Sequence, residues 1–203
     1  MSIPPLLGDE GNYRVYLVGN SGTGKALNTK AQQSTVGAYL SSKLNLPLIA
    51  LDEVFWKPGW EETPDDEFRK RVSALMAKDP RGWIIDGNYT RLGSMIPQNA
   101  TDIIWLDPPL WLYFPRLLWR TLLRLLGLRA TCAEGCEETW GEVFSTKGIV
   151  WFCISNHGST RSNYAAWHSS MNVQTGGKMR RIDESAGDLT KWKAALEELV
   201  RAR

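Results

Sequence analysis

Short apolar runs alternate with amphipathic stretches along most of the chain. Most of these runs are rich in Val, Ile or Leu, which is typical of strands buried on both faces of a sheet. They cover residues 14–19, 47–52, 82–86, 102–107 and 178–182. The stretch 63–80 is predicted to form a helix, because Thr63 is suited to cap it, Pro64 fits its first position and Pro80 follows it. Strands that alternate with helices predict an α/β fold, with a parallel sheet and helices on both faces.

The length of 203 residues suits one compact domain. We expect a flexible N-terminal tail over residues 1–12 and a single domain over 13–203, which would end in an amphipathic helix over 188–203. The polar, turn-rich stretch at about 127–147 is predicted to form a small mobile lid. The apolar run 149–157 after it is predicted to form a packed helix.

The strongly apolar stretch 109–129 is also predicted to be helical. Arg116, Arg120 and Arg124 recur every four residues, which places one charged stripe on the helix and argues against an unbroken membrane span. Three readings stay open: an amphipathic helix packed on the domain, a helix whose arginines also face substrate phosphates, and a helix that lies on a membrane surface. We expect no membrane partner.

Composition and charge narrow the classes of function. The chain is 43% apolar and 23% charged, with a net charge of +2, which is too small for an electrostatic nucleic-acid binder. No signal peptide is visible, and the three cysteines are expected to be reduced thiols of a cytoplasmic protein. Cys132, Cys136, Cys153 and His157 form a Cys3His set across the lid. Their three-residue spacers are not the tight spacing of a zinc knuckle and Cys153 lies in an apolar run, which favours buried or incidental thiols over zinc ligands.

The clearest chemical motif is the sequence GNSGTGK, which follows a predicted strand and precedes a predicted helix. Its glycines would let successive backbone N–H groups turn towards an anion, and the lysine would reach the terminal phosphates of a nucleotide. We therefore predict that it binds a nucleotide. The residues of this phosphate loop are Gly19, Asn20, Ser21, Gly22, Thr23, Gly24 and Lys25.

The loop pattern is interrupted after its lysine. Ala26 stands where a hydroxyl residue would hold Mg²⁺, and alanine has no ligand atom. Removing residues 26–33 restores an intact motif that continues with Ser34 and Thr35, so Ser34 is the predicted magnesium ligand and Thr35 a predicted nucleotide contact. We hypothesise that the eight residues reflect a splice-site or gene-model difference instead of a designed feature, and a transcript that encodes all eight would contradict this.

The conformation of the insertion decides its effect on the site. If residues 26–33 are helical, they rotate the following helix by roughly 80° and lift it by ~12 Å, which moves Val36 and Leu40 off the face they need. If they bulge out, Ser34 stays near the loop. The insert has intrinsic helix propensity, which opposes the bulge.

Two carboxylates follow predicted strands at the edge where the loop lies. Asp52 ends the second strand and Asp86 the third, and ligands collect at the carboxyl ends of parallel strands. Either could orient or deprotonate a substrate hydroxyl, although a helix cap for Asp52 and a turn for Asp86 are open alternatives. Asp107 is expected to shape a turn. The aromatic stretch 54–60 is either a platform for a flat substrate or packing under a loop.

With the loop, LDEVFWKPGW, WIIDGNY and IIWLDPP in this order, the chain resembles adenylate-kinase-like P-loop proteins. It looks most like the branch of small P-loop kinases that includes DNA topology modulation protein-like members. The resemblance implies a three-layer P-loop NTPase fold with a five-stranded parallel sheet, and ATP as the phosphate donor. It implies an acceptor near Asp52 and Asp86, and lid arginines over the phosphates, namely Arg116, Arg120 and Arg129. It also places the loop 183–187 near the adenine.

Two hypotheses of function follow. The first is an ATP- and Mg²⁺-dependent phosphotransferase of the nucleoside or nucleotide kinase type, which acts on an unknown small-molecule acceptor. In it, Lys25 stabilises transferred charge and Asp52 or Asp86 positions the acceptor. The second is a degenerate nucleotide-binding protein that binds phosphate without turnover, because the loop is interrupted after Lys25.

Overall fold

A computed structural model describes residues 4–8, 11–20, 36–131, 133–146, 148–185 and 187–202. Most of the phosphate loop and the whole insertion therefore lie outside the described residues. The site residues concerned are Ser21, Gly22, Thr23, Gly24, Lys25, Ser34 and Thr35, together with Cys132 of the possible zinc set.

The described residues form strands and helices that alternate along the chain. The strands are β1 (Tyr13–Val18), β2 (Leu48–Ala50), β3 (Trp56–Lys57), β4 (Glu61–Glu62), β5 (Gly82–Asp86), β6 (Asp102–Leu106) and β7 (Met179–Ile182). The helices are α1 (Val36–Leu44), α2 (Leu51–Phe55), α3 (Asp65–Ala77), α4 (Met95–Asn99), α5 (Leu110–Leu125), α6 (Trp140–Val143), α7 (Ile149–Ser155), α8 (His157–Met171) and α9 (Asp188–Arg201).

Five of the strands form one parallel sheet in the order β2-β5-β1-β6-β7. Successive side chains of its central strand point to opposite faces. Tyr16 and Val18 pack in one apolar cluster with residues of α2, α3, α4 and α8, and Val15 and Leu17 pack in another with α1 and α9. The predicted α/β fold, with a five-stranded parallel sheet between two helical layers, is confirmed.

Several element boundaries differ from those predicted. The second strand ends at Ala50, and Leu51–Phe55 forms helix α2, because Leu51 and Phe55 are four residues apart and both are buried. Thr63 does not cap α3. It is buried, and its hydroxyl donates to the Val54 carbonyl at 3.2 Å, while Pro64 occupies the cap position.

Residues 4–8 pack on the domain, in contrast to the loose tail predicted for residues 1–12. Leu6 is 2% exposed and lies in the cluster with α1 and α9. The backbone N–H groups of Leu7 and Gly8 donate to the Asp102 carboxylate at 2.7 and 3.2 Å. Trp192 donates through Nε1 to the Pro5 carbonyl at 2.9 Å. Hydrogen bonds of its backbone groups hold most of this segment on the domain. The pattern of apolar and polar side chains carries no information about such bonds, so it could not predict them.

Replacing Asp102 with alanine should lower the free energy of unfolding by about 2–3 kcal/mol, because two backbone donors and the Thr101 hydroxyl lose their acceptor. Burial raises the pKa of Asp102 despite these hydrogen bonds. A raised folded-state pKa means that the carboxyl stabilises the fold fully below its unfolded pKa, and that this contribution falls as the pH rises through the folded value.

The cost of Asp102→Ala should therefore be larger at pH 4 than at pH 7, as measured by urea unfolding. Glu198→Ala, at an exposed position of α9, is the control and should change stability by less than about 0.5 kcal/mol at both values of pH. Equal stability of Asp102→Ala and wild type would show that the carboxylate does not hold the N-terminal segment.

Candidate functional site

The sheet brings the described part of the phosphate loop and both candidate carboxylates to one edge. Asp86 ends β5 and is paired in register with Leu17 of β1 and Ala50 of β2. Gly19 lies two residues beyond Leu17, and Asp52 lies two residues beyond Ala50. The carboxyl ends of β1, β2 and β5, where the sequence predicts the site, therefore lie together at one edge of the sheet, as expected.

The first two loop residues are fixed in different ways. Gly19 has a φ of 147°, which side-chain-bearing residues rarely adopt, so a glycine is required where the chain leaves β1. Asn20 is 9% exposed, and its Nδ2 donates to the Tyr113 hydroxyl at 3.0 Å and to the Cys153 carbonyl at 3.3 Å. The Asn20 side chain thus ties the loop to α5 and α7 instead of pointing towards a ligand.

Asp52 lies in the first turn of α2, and its carboxylate is exposed. It does not cap the helix, because the cap position is Ala50 and no side chain bonds there. Its Oδ1 accepts a hydrogen bond from the Tyr89 hydroxyl at 2.6 Å. Asp52 therefore does not cap α2, and its exposed carboxylate lies at the edge of the sheet where the phosphate loop begins.

Asp86 is half-buried beside two buried tyrosines. Burial is the main reason why the pKa values of Tyr16 and Tyr164 are raised, and the negative charge of Asp86 raises both further. Gly87 follows with a φ of 138°, and a Cβ on it would lie 2.7 Å from the Cβ of Leu51. Glycine at 87 thus lets the backbone after Asp86 approach the start of α2.

An arginine cluster, formed by Arg120, Arg124 and Arg129 with Glu138, lies near Asp52 and contains one buried ion pair. Arg124 and Glu138 form a salt bridge of 2.9 Å, with side chains only 9% and 8% exposed. Arg124 also donates through Nε to the Ala130 carbonyl at 3.2 Å. The lid stretch is therefore joined to α5 through a charged contact that is shielded from water.

Arg120 is the member of this cluster whose pKa responds to the charge of Asp52. Burial and then Arg124 lower the pKa of Arg120 to about 10, whereas Glu138 and Asp52 act in the opposite direction. Its Nε is buried without a hydrogen-bond partner among the described residues. Burial and Arg124 likewise lower the pKa of Arg129. The cluster thus has an excess of positive charge, which suits an anion.

Helix α5 turns Arg120 and Arg124 towards the protein and its tryptophans towards solvent. It packs through the buried Tyr113 and Leu117, whereas Trp111 and Trp119 are 71% and 62% exposed. Arg116 differs from the other arginines of its stripe, because it is exposed and pairs with Glu184 at 2.7 Å. Among the described helices, α5 included, none combines the length and apolar character that a bilayer span requires.

The aromatic stretch 54–60 is part of a packed cluster. Phe55 is buried and contacts Trp56 and Tyr89 at ring distances of 4.9 and 4.6 Å. Trp60 donates through Nε1 to the Glu137 carbonyl at 2.9 Å. The stretch runs from the end of α2 through β3 into the turn before β4, and Trp60 joins it to the lid. The packing interpretation therefore accounts for most of its aromatic rings.

The described members of the possible zinc set have other partners. Cys136 is buried, and its Sγ donates to the Lys57 carbonyl at 3.2 Å. Cys153 packs with Tyr113 and Leu117, and His157 Nδ1 is hydrogen-bonded to the Tyr113 hydroxyl at 2.8 Å. Within the described part of the chain, no three metal-ligating side chains come together.

Some residues of this edge were not found from the sequence. Tyr89, Glu138 and Tyr164 carry no local signal, because each reaches the site only through tertiary packing. Asp107 was expected to shape a turn, but its buried carboxylate accepts from Arg161 Nε at 3.0 Å and from Arg181 Nε at 2.8 Å.

Comparisons with known proteins bear on the architecture alone. No family model and no curated protein matches the chain. The structure is similar to a crystal structure of shikimate kinase from Bacteroides thetaiotaomicron, with a TM-score of 0.49 and 14% sequence identity, over 94% of this chain and 97% of that chain. At this identity and TM-score, any conclusion on function has to come from the residues of this chain.

Proposed function

We propose that the chain is an ATP-binding P-loop phosphotransferase of the nucleoside or nucleotide kinase type, which acts on a small-molecule acceptor. The observation that carries this proposal is the register of β1, β2 and β5, which brings Gly19, Asp52 and Asp86 to one edge of the sheet. The GNSGTGK motif starts at that edge, and a cluster with excess positive charge lies beside Asp52.

In the proposed reaction, the acceptor hydroxyl attacks the γ-phosphorus of ATP, the bond to the β-phosphate oxygen breaks, and ADP leaves. Asp52 or Asp86 orients the hydroxyl and takes up its proton. Arg120 and Arg129 stabilise the negative charge of the phosphates. These groups supply the positioning and the electrostatic stabilisation on which phosphoryl transfer mainly depends.

The remaining roles fall on the part of the loop outside the described residues. The backbone N–H groups of residues 21–24 and of Thr35 would contact the phosphates, and Lys25 would stabilise the transferred charge. Ser34 would hold Mg²⁺, which neutralises charge on the outer phosphates when it is bound. The hydroxyl of Ser34 is chemically suited to this ion, whereas the methyl group of Ala26 is not.

A non-catalytic nucleotide-binding protein is the second candidate, and the alanine at position 26 favours it. Backbone N–H groups can bind phosphate without a magnesium ligand, but turnover needs the metal. In either case we place the protein in a reducing compartment such as the cytoplasm, because Cys136 and Cys153 are free thiols. Nucleic acid and membrane are not among the proposed partners.

Removing residues 26–33 separates the two candidates. We expect the full chain and the shortened chain to bind ATP, and Mg²⁺-dependent ADP formation to be at least about 10²-fold faster in the shortened chain, because a metal site can contribute several kcal/mol to the transition state. Binding is measured by calorimetry and turnover by ADP release. Lys25→Ala is the control and should weaken turnover in the shortened chain.

Each combination of ATP binding and ADP formation in this experiment has one interpretation. If neither form binds ATP, the nucleotide-binding proposal is wrong. If both forms bind ATP and neither forms ADP with a panel of nucleoside and nucleotide acceptors, the chain is a non-catalytic binding protein. If the full chain is already as fast as the shortened one, the insertion does not disturb the site.

A further inference from the structure

An arginine occupies a core-facing position of the central strand, at the end of the sheet opposite Asp52 and Asp86. Along β1, Tyr16 and Val18 point into the apolar cluster that includes α3 and α4, and the two-residue period of a strand places Arg14 on the same face. Arg14 is paired in register with Trp83, which is 2% exposed. A charged side chain rarely occupies such a position without a partner.

The guanidinium of Arg14 lacks a counter-ion among the described residues. None of their ion pairs includes it, and its Nε is buried without a hydrogen-bond partner. The neighbouring Asp79 is already held by Arg81, with contacts of 3.1 and 2.7 Å to its two carboxylate oxygens. Asp102 faces the opposite side of the sheet, where it binds the N-terminal segment.

Arg14 lines a cavity of about 320 Å³ between α3, α4 and the amino ends of β1 and β5. Met76, Met95 and Trp83 supply apolar wall, and Asn12 and Asn99 supply polar groups. The carboxylate of Asp79 also lines the cavity, where Arg81 holds both of its oxygens. Cavities that bind small molecules combine apolar walls with a few polar groups in this way, and this volume lies at the lower end of their range.

A second cation strengthens the positive character of this end of the sheet. Lys178 donates through Nζ to the Ala100 carbonyl at 2.8 Å. Partial burial, followed by the charge of Arg14, lowers the pKa of Lys178, whereas the charge of Asp102 acts in the opposite direction. Two cations close enough to repel one another favour the binding of an anion between or beside them.

We propose that this cavity binds a small organic anion, whose carboxylate or phosphate group pairs with Arg14 and whose flat apolar body contacts Met76, Met95 and Trp83. The planar guanidinium suits both kinds of head group. The site is separate from the proposed nucleotide site, because it lies at the amino ends of the strands and that site lies at their carboxyl ends.

Ligand-observed NMR with benzoate, phenyl phosphate and the neutral benzamide tests the proposal on the full chain. We expect saturable binding of at least one of the two anions, and benzamide to bind at least tenfold more weakly. Preference for benzoate or for phenyl phosphate identifies the head group. Addition of ATP should not displace the bound anion.

Three variants test the site itself. Arg14→Met should weaken binding of the anion at least tenfold and leave the midpoint of thermal unfolding unchanged or higher, because an unpaired charge is removed. Ser73→Trp, at an exposed position on the cavity wall, should block binding while Arg14 is kept. Lys191→Met, which removes an exposed cation of α9 away from the cavity, is the control and should bind as the wild type does.

Four results would overturn the proposal: no binding of either anion at millimolar concentration, equal binding of benzamide, unchanged binding to Arg14→Met, or displacement of the anion by ATP. None of them depends on phosphotransferase activity, so the proposal is tested separately from the proposed function.

Discussion

Replacing Glu138 with alanine is expected to lower the free energy of unfolding by about 3–5 kcal/mol, which is a large part of the stability of an ordinary domain. The variant leaves the buried guanidinium of Arg124 without its 2.9 Å partner. Arg120 and Arg129 lie close enough for their pKa values to respond to the charge of Arg124, so the loss of Glu138 leaves three cations close together. Urea unfolding followed by circular dichroism at pH 7 measures the change.

The double variant Arg124→Met/Glu138→Leu distinguishes loss of a partner from loss of packing. Removal of both charges also removes their cost of burial, and one oxygen of the pair, Glu138 Oε2, is buried without a hydrogen-bond partner among the described residues. We expect the double variant to lie within about 1 kcal/mol of the wild type or to be more stable. A cost below about 1 kcal/mol for Glu138→Ala alone would mean that water reaches Arg124.

The sheet could be predicted from the sequence because its strands are buried on both faces. Runs such as 82–86 and 102–107 are apolar at nearly every position, and this pattern needs no knowledge of neighbouring elements. Helix α8 could not be predicted in the same way. Tyr164 is its one buried residue among those described, so the helix is held by a few contacts and shows no apolar stripe.

The position of the candidate site could also be predicted, but its contacts could not. Asp52 and Asp86 were found because a parallel sheet gathers the residues that follow its strands. The sequence does not predict the orientation of α5. The four-residue repeat shows that its arginines share one side of the helix, but it does not show whether that side faces the protein or the solvent. Only tertiary packing decides that Trp119 is exposed while Arg120 lies near enough to Glu138 and Asp52 for its pKa to respond to their charges.

Replacing Arg120 with methionine is expected to change activity and stability in opposite directions. The lowered pKa of Arg120 lies far above neutrality, so the group is charged at pH 7 although burial disfavours its charged form. The charge therefore destabilises the fold at every pH below about 10. Methionine removes this cost and keeps much of the volume, so we expect a gain on the order of 1–3 kcal/mol in urea unfolding.

The same variant should lose phosphotransfer, because under the proposed function Arg120 stabilises charge on the phosphates. In the chain shortened by residues 26–33, we expect ADP formation to fall by about 10³-fold, the lower end of the effect of arginines in this role. Arg116→Met is the matched control one turn earlier on α5. Arg116 is exposed and pairs with Glu184, so its loss should change turnover and stability little.

Stability and turnover of Arg120→Met are interpreted together. A stable Arg120→Met variant without turnover assigns Arg120 to the reaction, since a residue needed only for packing would lower stability when it is removed. A variant that keeps its turnover would remove Arg120 from the site, whatever its stability. A loss of more than about 1 kcal/mol of stability would show that Glu138 and Asp52 compensate the buried charge more fully than its lowered pKa implies.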